Sequence, residues 1–165
     1  MKLRIVAIMT ASVMVLLALS AFWNSDERQI KALFDKVSSE MEKNGPEPPF
    51  AQLAKARNLA ATVAPRLRIE GFGNARDLTI DATDLTERIV ILRREMQTFC
   101  IYFDQMTVKC PGGGTAQAFC NASCSGLPDW ISETESFALT ATLEKDPQSG
   151  RWRFTALHAA SLVPQ

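Results

Sequence analysis

The sequence predicts an α+β domain, a curved antiparallel sheet packed against about three helices, behind an N-terminal transmembrane helix. Three observations carry this reading. An uncharged run extends from Ile5 to Trp23. Between Ser25 and Met96, apolar residues recur mostly at helical spacing; from Thr98 onward the period changes to two, with turn-rich segments between the runs. Helices first and strands last is the order expected of helices segregated to one face of an antiparallel sheet.

At 165 residues, 47% hydrophobic and 22% charged, the chain has the length of one ordinary domain with a short appendage. Of its 18 basic residues, Lys2 and Arg4 precede the apolar run, leaving 16 against 18 acidic ones. That balance excludes a nucleic-acid surface, which needs clustered positive charge to displace counterions from phosphates.

As a helix, "IVAIMTASVMVLLALSAFW" would extend about 28 Å, close to the hydrocarbon thickness of a bilayer. Phe22 and Trp23 suit its interfacial end. Small residues at Ala18, Ser20 and Ala21 behind a positive start also describe a cleavable signal peptide, which stays open as the alternative. Either way Lys2 and Arg4 remain cytoplasmic and the rest is exported. The expected boundaries are residues 1–24 for a signal anchor or signal peptide and 25–165 for the exported domain. The expected location is the inner membrane, single-pass through residues 5–23 with the C-terminal domain in the periplasm, or else a secreted soluble form.

Asn24 with Glu27 has the form of a capping box, and Ile30, Leu33, Phe34, Val37 and Met41 then make one helical stripe ending near Asn44-Gly45. After the stiff "GPEPPF", a second helix carries Phe50, Leu53, Leu59 and Val63 and stops at Pro65. "RLRIE" reads as a short strand, broken by "GFGN". In "DLTIDATD", Asp77, Asp81 and Asp84 lack the pattern of a calcium loop; capping by Asp81, Thr83 or Asp84 of a third helix carrying Leu85, Ile89, Leu92 and Met96 explains them. "TFCIYFDQMTVKC", "TAQAFCNASC", "SFALTATLEK" and "RWRFTALHAASL" are four successive strands, the last two joined by a "KDPQSG" turn.

"SDERQIKALFDKVSSEMEKNG" resembles the opening helix, and "LTATLEKDPQSGRWRFTALHAASL" the closing hairpin, of the nuclear transport factor 2-like (SnoaL-like, cystatin-like cone) superfamily, over about Ser25 to Leu162. The resemblance implies a cone-shaped domain with an interior pocket, and dimerisation through the sheet. A membrane helix ahead of such a cone also resembles the bitopic inner-membrane component of type IV secretion systems, than which this chain is shorter.

Three of the four cysteines fall within "CPGGGTAQAFCNASC". Their spacing lacks the paired knuckles of a structural zinc site, and an exported domain meets an oxidising compartment, so disulfides are expected and no metal. With Pro111 to Gly114 as a hairpin turn, facing residues have numbers summing to between 224 and 226. A sum of 224 sets Cys100 opposite Cys124, a pair within disulfide reach, with Tyr102 opposite Ala122 and Asp104 opposite Cys120. Cys110 and Cys120 are on the order of 20 Å apart along a straight hairpin, so their pairing stays open, against packed thiols.

Relatives of the ketosteroid isomerase type place an acid-base carboxylate and a hydroxyl donor in the cone, chemistry that a buried acid and a phenol can perform. Tyr102 and Asp104 share a strand face and are the candidates for that pair; His158, with the parity of Trp152 and Phe154, is the third. For each the plain structural alternative, a sheet hydrogen bond or a partly buried imidazole, stands beside the catalytic one. No phosphate loop or dinucleotide fingerprint appears, and no cofactor is expected. Trp130, in the turn-rich "SGLPDWISE", either folds onto the core or contacts a partner.

The favoured function is a non-enzymatic, membrane-anchored periplasmic binding or assembly domain, joined to a membrane-protein complex or to a second copy. The alternatives are a secreted small-molecule binder and an isomerase- or hydratase-like enzyme using the cone pocket.

Overall fold

The helical stripe of Ile30 and Phe34 sits at the centre of the core, both side chains essentially inaccessible to solvent. The computed structural model describes residues 26–71, 77–126 and 134–161. The expected membrane segment at 5–23, the capping box at Asn24 and the partner-contact candidate Trp130 lie outside these. Among the described residues no helix is long and apolar enough to cross a membrane.

The stripe lies on helix α1, described over 26–41, followed by a two-residue strand β1 (Lys43–Asn44). The helix therefore ends short of the expected Asn44-Gly45. Lys43 and Asn44 instead pair with Phe99 and Thr98 at a sheet edge. Helix α2 (Pro49–Ala60) opens with proline at its start, where a missing N–H costs nothing. It stops before Pro65, which lies inside strand β2 (Val63–Glu70) at an interruption of pairing between Val63 and Arg68. Strand β3 (Leu78–Ile80) pairs with β2. Helix α3 (Ala82–Glu95) is capped as expected: the Asp81 carboxylate accepts from the amides of Thr83 (2.8 Å) and Asp84 (2.9 Å).

Strands β4 (Thr98–Gly112), β5 (Thr115–Ser125), β6 (Thr134–Lys145) and β7 (Trp152–Ser161) form the antiparallel run read from the period-two pattern. The triple glycine is a hairpin turn: Gly112 faces Thr115, and Gly113 and Gly114 both adopt positive φ (68° and 73°), as a two-residue loop requires. The "KDPQSG" turn is tied by the Asp146 carboxylate, which accepts from the amides of Gln148 and Ser149.

The seven strands run in the order β1-β4-β5-β6-β7-β2-β3. The sheet is mixed, which corrects the expectation of a wholly antiparallel one. Strand β2 lies parallel to β7, with Arg68 opposite Ala156 and Glu70 opposite His158. Short hairpin links identify only sequential neighbours, whereas β2 and β7 meet after most of the domain has intervened.

Alanines at 116, 118, 122 and 141 carpet the inner face under α1 and are fully buried, so the helix approaches closely. Phe34 fills the space above them, its ring edge-on to Phe103 and Phe154 with centroids 5.0 Å from each. Helices α2 and α3 pack on one another through Ala56, Leu59 and Ile89.

Two bulges decide which side chains enter the cone. Along β4 and β5, facing residues sum to 225 from Cys100↔Ser125 to Asp104↔Asn121, then to 226 from Thr107↔Phe119. Residues 105 and 106 are the irregular stretch, and Gln105 has φ 51°. Inward positions thus change from Phe99, Ile101 and Phe103 to Met106 and Val108. On β7 the register breaks around Thr155, and inward positions change from Trp152 and Phe154 to Leu157 and Ala159.

Candidate functional site

Between α1, α3 and the concave face of the sheet lies a cavity of about 430 Å³. That is within the usual range for small-molecule sites. Helix α1 contributes Phe34, Val37 and Met41, helix α3 contributes Leu85, Ile89 and Leu92, and the sheet closes the far side with Ile101, Phe103, Leu139 and Leu157. The sequence pattern explains why the space exists. Two apolar helical stripes face a sheet whose inward residues mix the small Ala116, Ala118, Ala122 and Ala141 with longer side chains, and an uneven surface of this kind leaves space between the layers.

Among the described lining residues, only Thr62 and Cys124 carry a polar side-chain atom. Thr62, between α2 and β2, is 4% exposed. Its hydroxyl donates to the Leu59 carbonyl at 2.6 Å, its amide donates to the same oxygen, and its own carbonyl accepts from the Phe154 amide at 3.0 Å. Cys124 faces the cavity because β5 places 116, 118, 120, 122 and 124 on the inner side.

The three catalytic candidates are not in this wall. Tyr102 and Asp104 lie opposite Ser123 and Asn121, not Ala122 and Cys120, because the register is one residue away from the one expected. That shift sends both outward, and Tyr102 is 59% exposed. The neighbouring Cys100 side chain pushes the Tyr102 phenol above its ordinary value. His158 has the parity of Trp152 in the sequence but lies beyond the β7 bulge, on the exposed outer face. There Gly71 crosses it closely: a Cβ on Gly71 would sit 3.0 Å from the imidazole and 2.2 Å from the Ala159 carbonyl oxygen. The outer-face histidine packs a strand end.

The same one-residue difference corrects the disulfide expectation. Cys100 faces Ser125, with Sγ 2.7 Å from the serine hydroxyl, and Cys124 faces Ile101. Cys100 and Cys124 therefore point to opposite sides of the sheet, and no disulfide joins any of the four cysteines. Cys110 is exposed near the glycine turn while Cys120 is buried opposite Leu139, so that pair is not bridged either. Burial, with a smaller contribution from the Asp104 charge, pushes the Cys120 thiol up to about 11. Partial desolvation raises the thiol of Cys110 even at its exposed position, helped by the charges of Asp26 and Glu27 and opposed by Lys145. Among the described residues no group of three His, Cys, Asp or Glu side chains is arranged to hold a metal ion.

One polar cluster escaped the sequence reading. Arg93, 3% exposed near the end of α3, donates to the carbonyls of Glu40, Met41 and Glu42 at the end of α1. It also forks onto both carboxylate oxygens of Glu47, at 3.0 and 2.7 Å. Lys43, just past α1, donates in return to the carbonyls of Arg93 and Met96. Each helix end is thus capped by a cation from the other's neighbourhood. Burial raises the Glu47 carboxyl, but hydrogen bonds from Arg93 and Lys55 outweigh this and hold it below its ordinary value.

No family model and no curated protein matches the chain by sequence. Its structure does resemble solved ones. A nuclear transport factor 2-like protein with a cystatin-like fold from Novosphingobium aromaticivorans is 18% identical, with a TM-score of 0.65 over 90% of each chain. A second such protein, of unknown function, from Pseudomonas putida is 14% identical, with a TM-score of 0.62 over 86% of this chain and 90% of the other. A protein described as a candidate scytalone dehydratase, also from Novosphingobium aromaticivorans, is 10% identical, with a TM-score of 0.65 over 84% and 85%. At these identities the likeness shows the fold, the cone of nuclear transport factor 2-like, cystatin-like proteins.

Proposed function

We propose that this cone is a membrane-anchored, exported binding domain whose cavity holds a neutral apolar small molecule without acting on it chemically. The cavity wall carries the proposal: about 430 Å³ of space faced by aliphatic and aromatic side chains. Burying a charged ligand there would require a partner charge, and the described wall contains none. An acid-base reaction needs a titratable group within hydrogen-bond reach of the substrate. Tyr102, Asp104 and His158 are on the other side of the sheet. At 10% identity, the dehydratase named among the structural neighbours shares its architecture with this chain, and that likeness shows the fold alone.

The uncharged Ile5–Trp23 segment supports an anchor in the inner membrane with residues 25–165 on the periplasmic side. A membrane-protein complex or a second copy remains the proposed partner. The secreted binder differs only in losing the anchor.

The test is to purify the full chain from its native membrane in mild detergent and identify its N-terminus, its companions and the contents of its organic extract by mass spectrometry. An intact Met1 and an apolar compound at near-stoichiometric amount are expected. The compound should be lost in Ile101→Trp, which fills the cavity. A mature N-terminus near Ala21 would replace the anchor with the secreted form; wild-type extract indistinguishable from Ile101→Trp extract would overturn ligand binding; and conversion of the bound compound would restore the enzyme reading.

A further inference from the structure

We infer that Thr62 orients the cavity's ligand, and that the ligand is a neutral apolar molecule bearing one hydroxyl, an alcohol or a phenol. The inference rests on the binding reading above and specifies its ligand class. Thr62 is a buried residue of the cavity wall, and the single proton of its hydroxyl is already committed to the Leu59 carbonyl at 2.6 Å. A threonine oxygen has two acceptor sites besides that donor. Among the described residues nothing donates to it. The helix end favours this arrangement: the Leu59 carbonyl also receives the Thr62 amide, so the side chain closes a tight turn onto the same oxygen.

With a lone pair of the Thr62 oxygen turned to the ligand, the wall would offer an acceptor at this point while the proton stays with Leu59. A ligand hydroxyl can donate to Thr62 and lose little on leaving water, whereas a ketone or ether oxygen placed there would meet another acceptor and forfeit its hydration. The rest of the described wall is apolar apart from Cys124, so the ring or chain behind that hydroxyl should be hydrocarbon.

The probes are 2-naphthol, 2-methoxynaphthalene and naphthalene, measured by equilibrium dialysis against the full chain in lipid nanodiscs, with partition into empty nanodiscs subtracted. Thr62→Val should raise the ratio of the 2-naphthol Kd to the 2-methoxynaphthalene Kd by about three- to tenfold, the worth of one neutral hydrogen bond. Thr62→Ser should leave the ratio at the wild-type value. In the wild type, nuclear Overhauser contacts should join the Thr62 methyl to the ring protons flanking the naphthol hydroxyl, a measurement that stands even if Thr62→Val does not fold. An unchanged ratio in folded Thr62→Val, or contacts from the opposite ring edge, overturns the role of Thr62 while leaving the cavity as a binding site. None of the three probes binding beyond empty nanodiscs overturns the binding reading itself.

Discussion

Arg93 is the residue on which the junction of α1 and α3 depends. Its guanidinium satisfies three carbonyls at the end of α1 and both oxygens of Glu47 while being 3% exposed. Arg93→Met keeps much of the side-chain volume but strands those acceptors, and removing one partner of a buried pair costs about 3–5 kcal/mol. A urea unfolding midpoint lowered accordingly, with unchanged m-value, is the expected result. Glu47→Gln retains a hydrogen-bond acceptor beside Arg93 and should cost less. The thiols make a second test at this scale. Cys120, raised to about 11 by burial, should resist alkylation at pH 8 until the protein is unfolded. Mild oxidation of the folded chain should yield no Cys100–Cys124 peptide on mass spectrometry, since the two face opposite sides of the sheet. Recovery of that peptide in good yield would show that the β4–β5 register differs from the one described.

At the scale of elements, the period-two runs identified strands β4 to β7 and their turns because alternation is a local property that survives in the sequence. Which face each residue took was not legible, because a single inserted residue inverts it. Two such insertions, around Gln105 and Thr155, separate the expected positions of Tyr102, Asp104 and His158 from the observed ones. Neither carries the glycine that often marks a bulge. Gln105 adopts φ 51° without being glycine, a conformation that costs an ordinary L residue about 1 kcal/mol or more. Its side-chain oxygen accepts from the Asn121 amide at 3.2 Å on the exposed face, a weak compensation. Gln105→Gly should therefore raise stability by about 0.5–1 kcal/mol and keep the register, read as a higher denaturation midpoint with unchanged cross-strand contacts between Phe103 and Ala122. Destabilisation by that substitution would mean that the Gln105 side chain holds the bulge in place.

For the whole molecule, the layered architecture was legible and an interior pocket followed from the family resemblance, but its size and lining were not legible: each helical stripe is locally visible, but the gap between stripes depends on how far apart the layers settle. The mixed topology was hidden for the same reason, as Val63 and Phe154 meet only in the folded chain. Contacts of this long-range kind also set the response to acid. Asp26, at the start of the described α1, accepts from Lys145 at 2.7 Å and from the Trp152 indole at 3.3 Å, tying the first helix to the last hairpin. The Lys145 hydrogen bond, with help from Trp152 and against burial, holds its carboxyl below the ordinary 3.8. Glu47 joins the α1–β1 region to α2 and α3, and despite burial its carboxyl is likewise held below its ordinary 4.5 by Arg93 and Lys55. Both groups bind protons more tightly in the unfolded chain than in the folded one. Their stabilisation is therefore fully present above the ordinary carboxylate values and is lost as pH falls through the lowered folded values. Urea midpoints should change little between pH 7 and about pH 5 on their account, then fall steeply toward pH 3. Asp26→Asn and Glu47→Gln should each lower the midpoint at pH 7 and flatten the acid limb, and the double variant should flatten it further, because the two sites share no partner. An acid limb equally steep in the double variant would assign acid unfolding to other carboxylates and remove these two ties from the account of how the helices are held to the sheet.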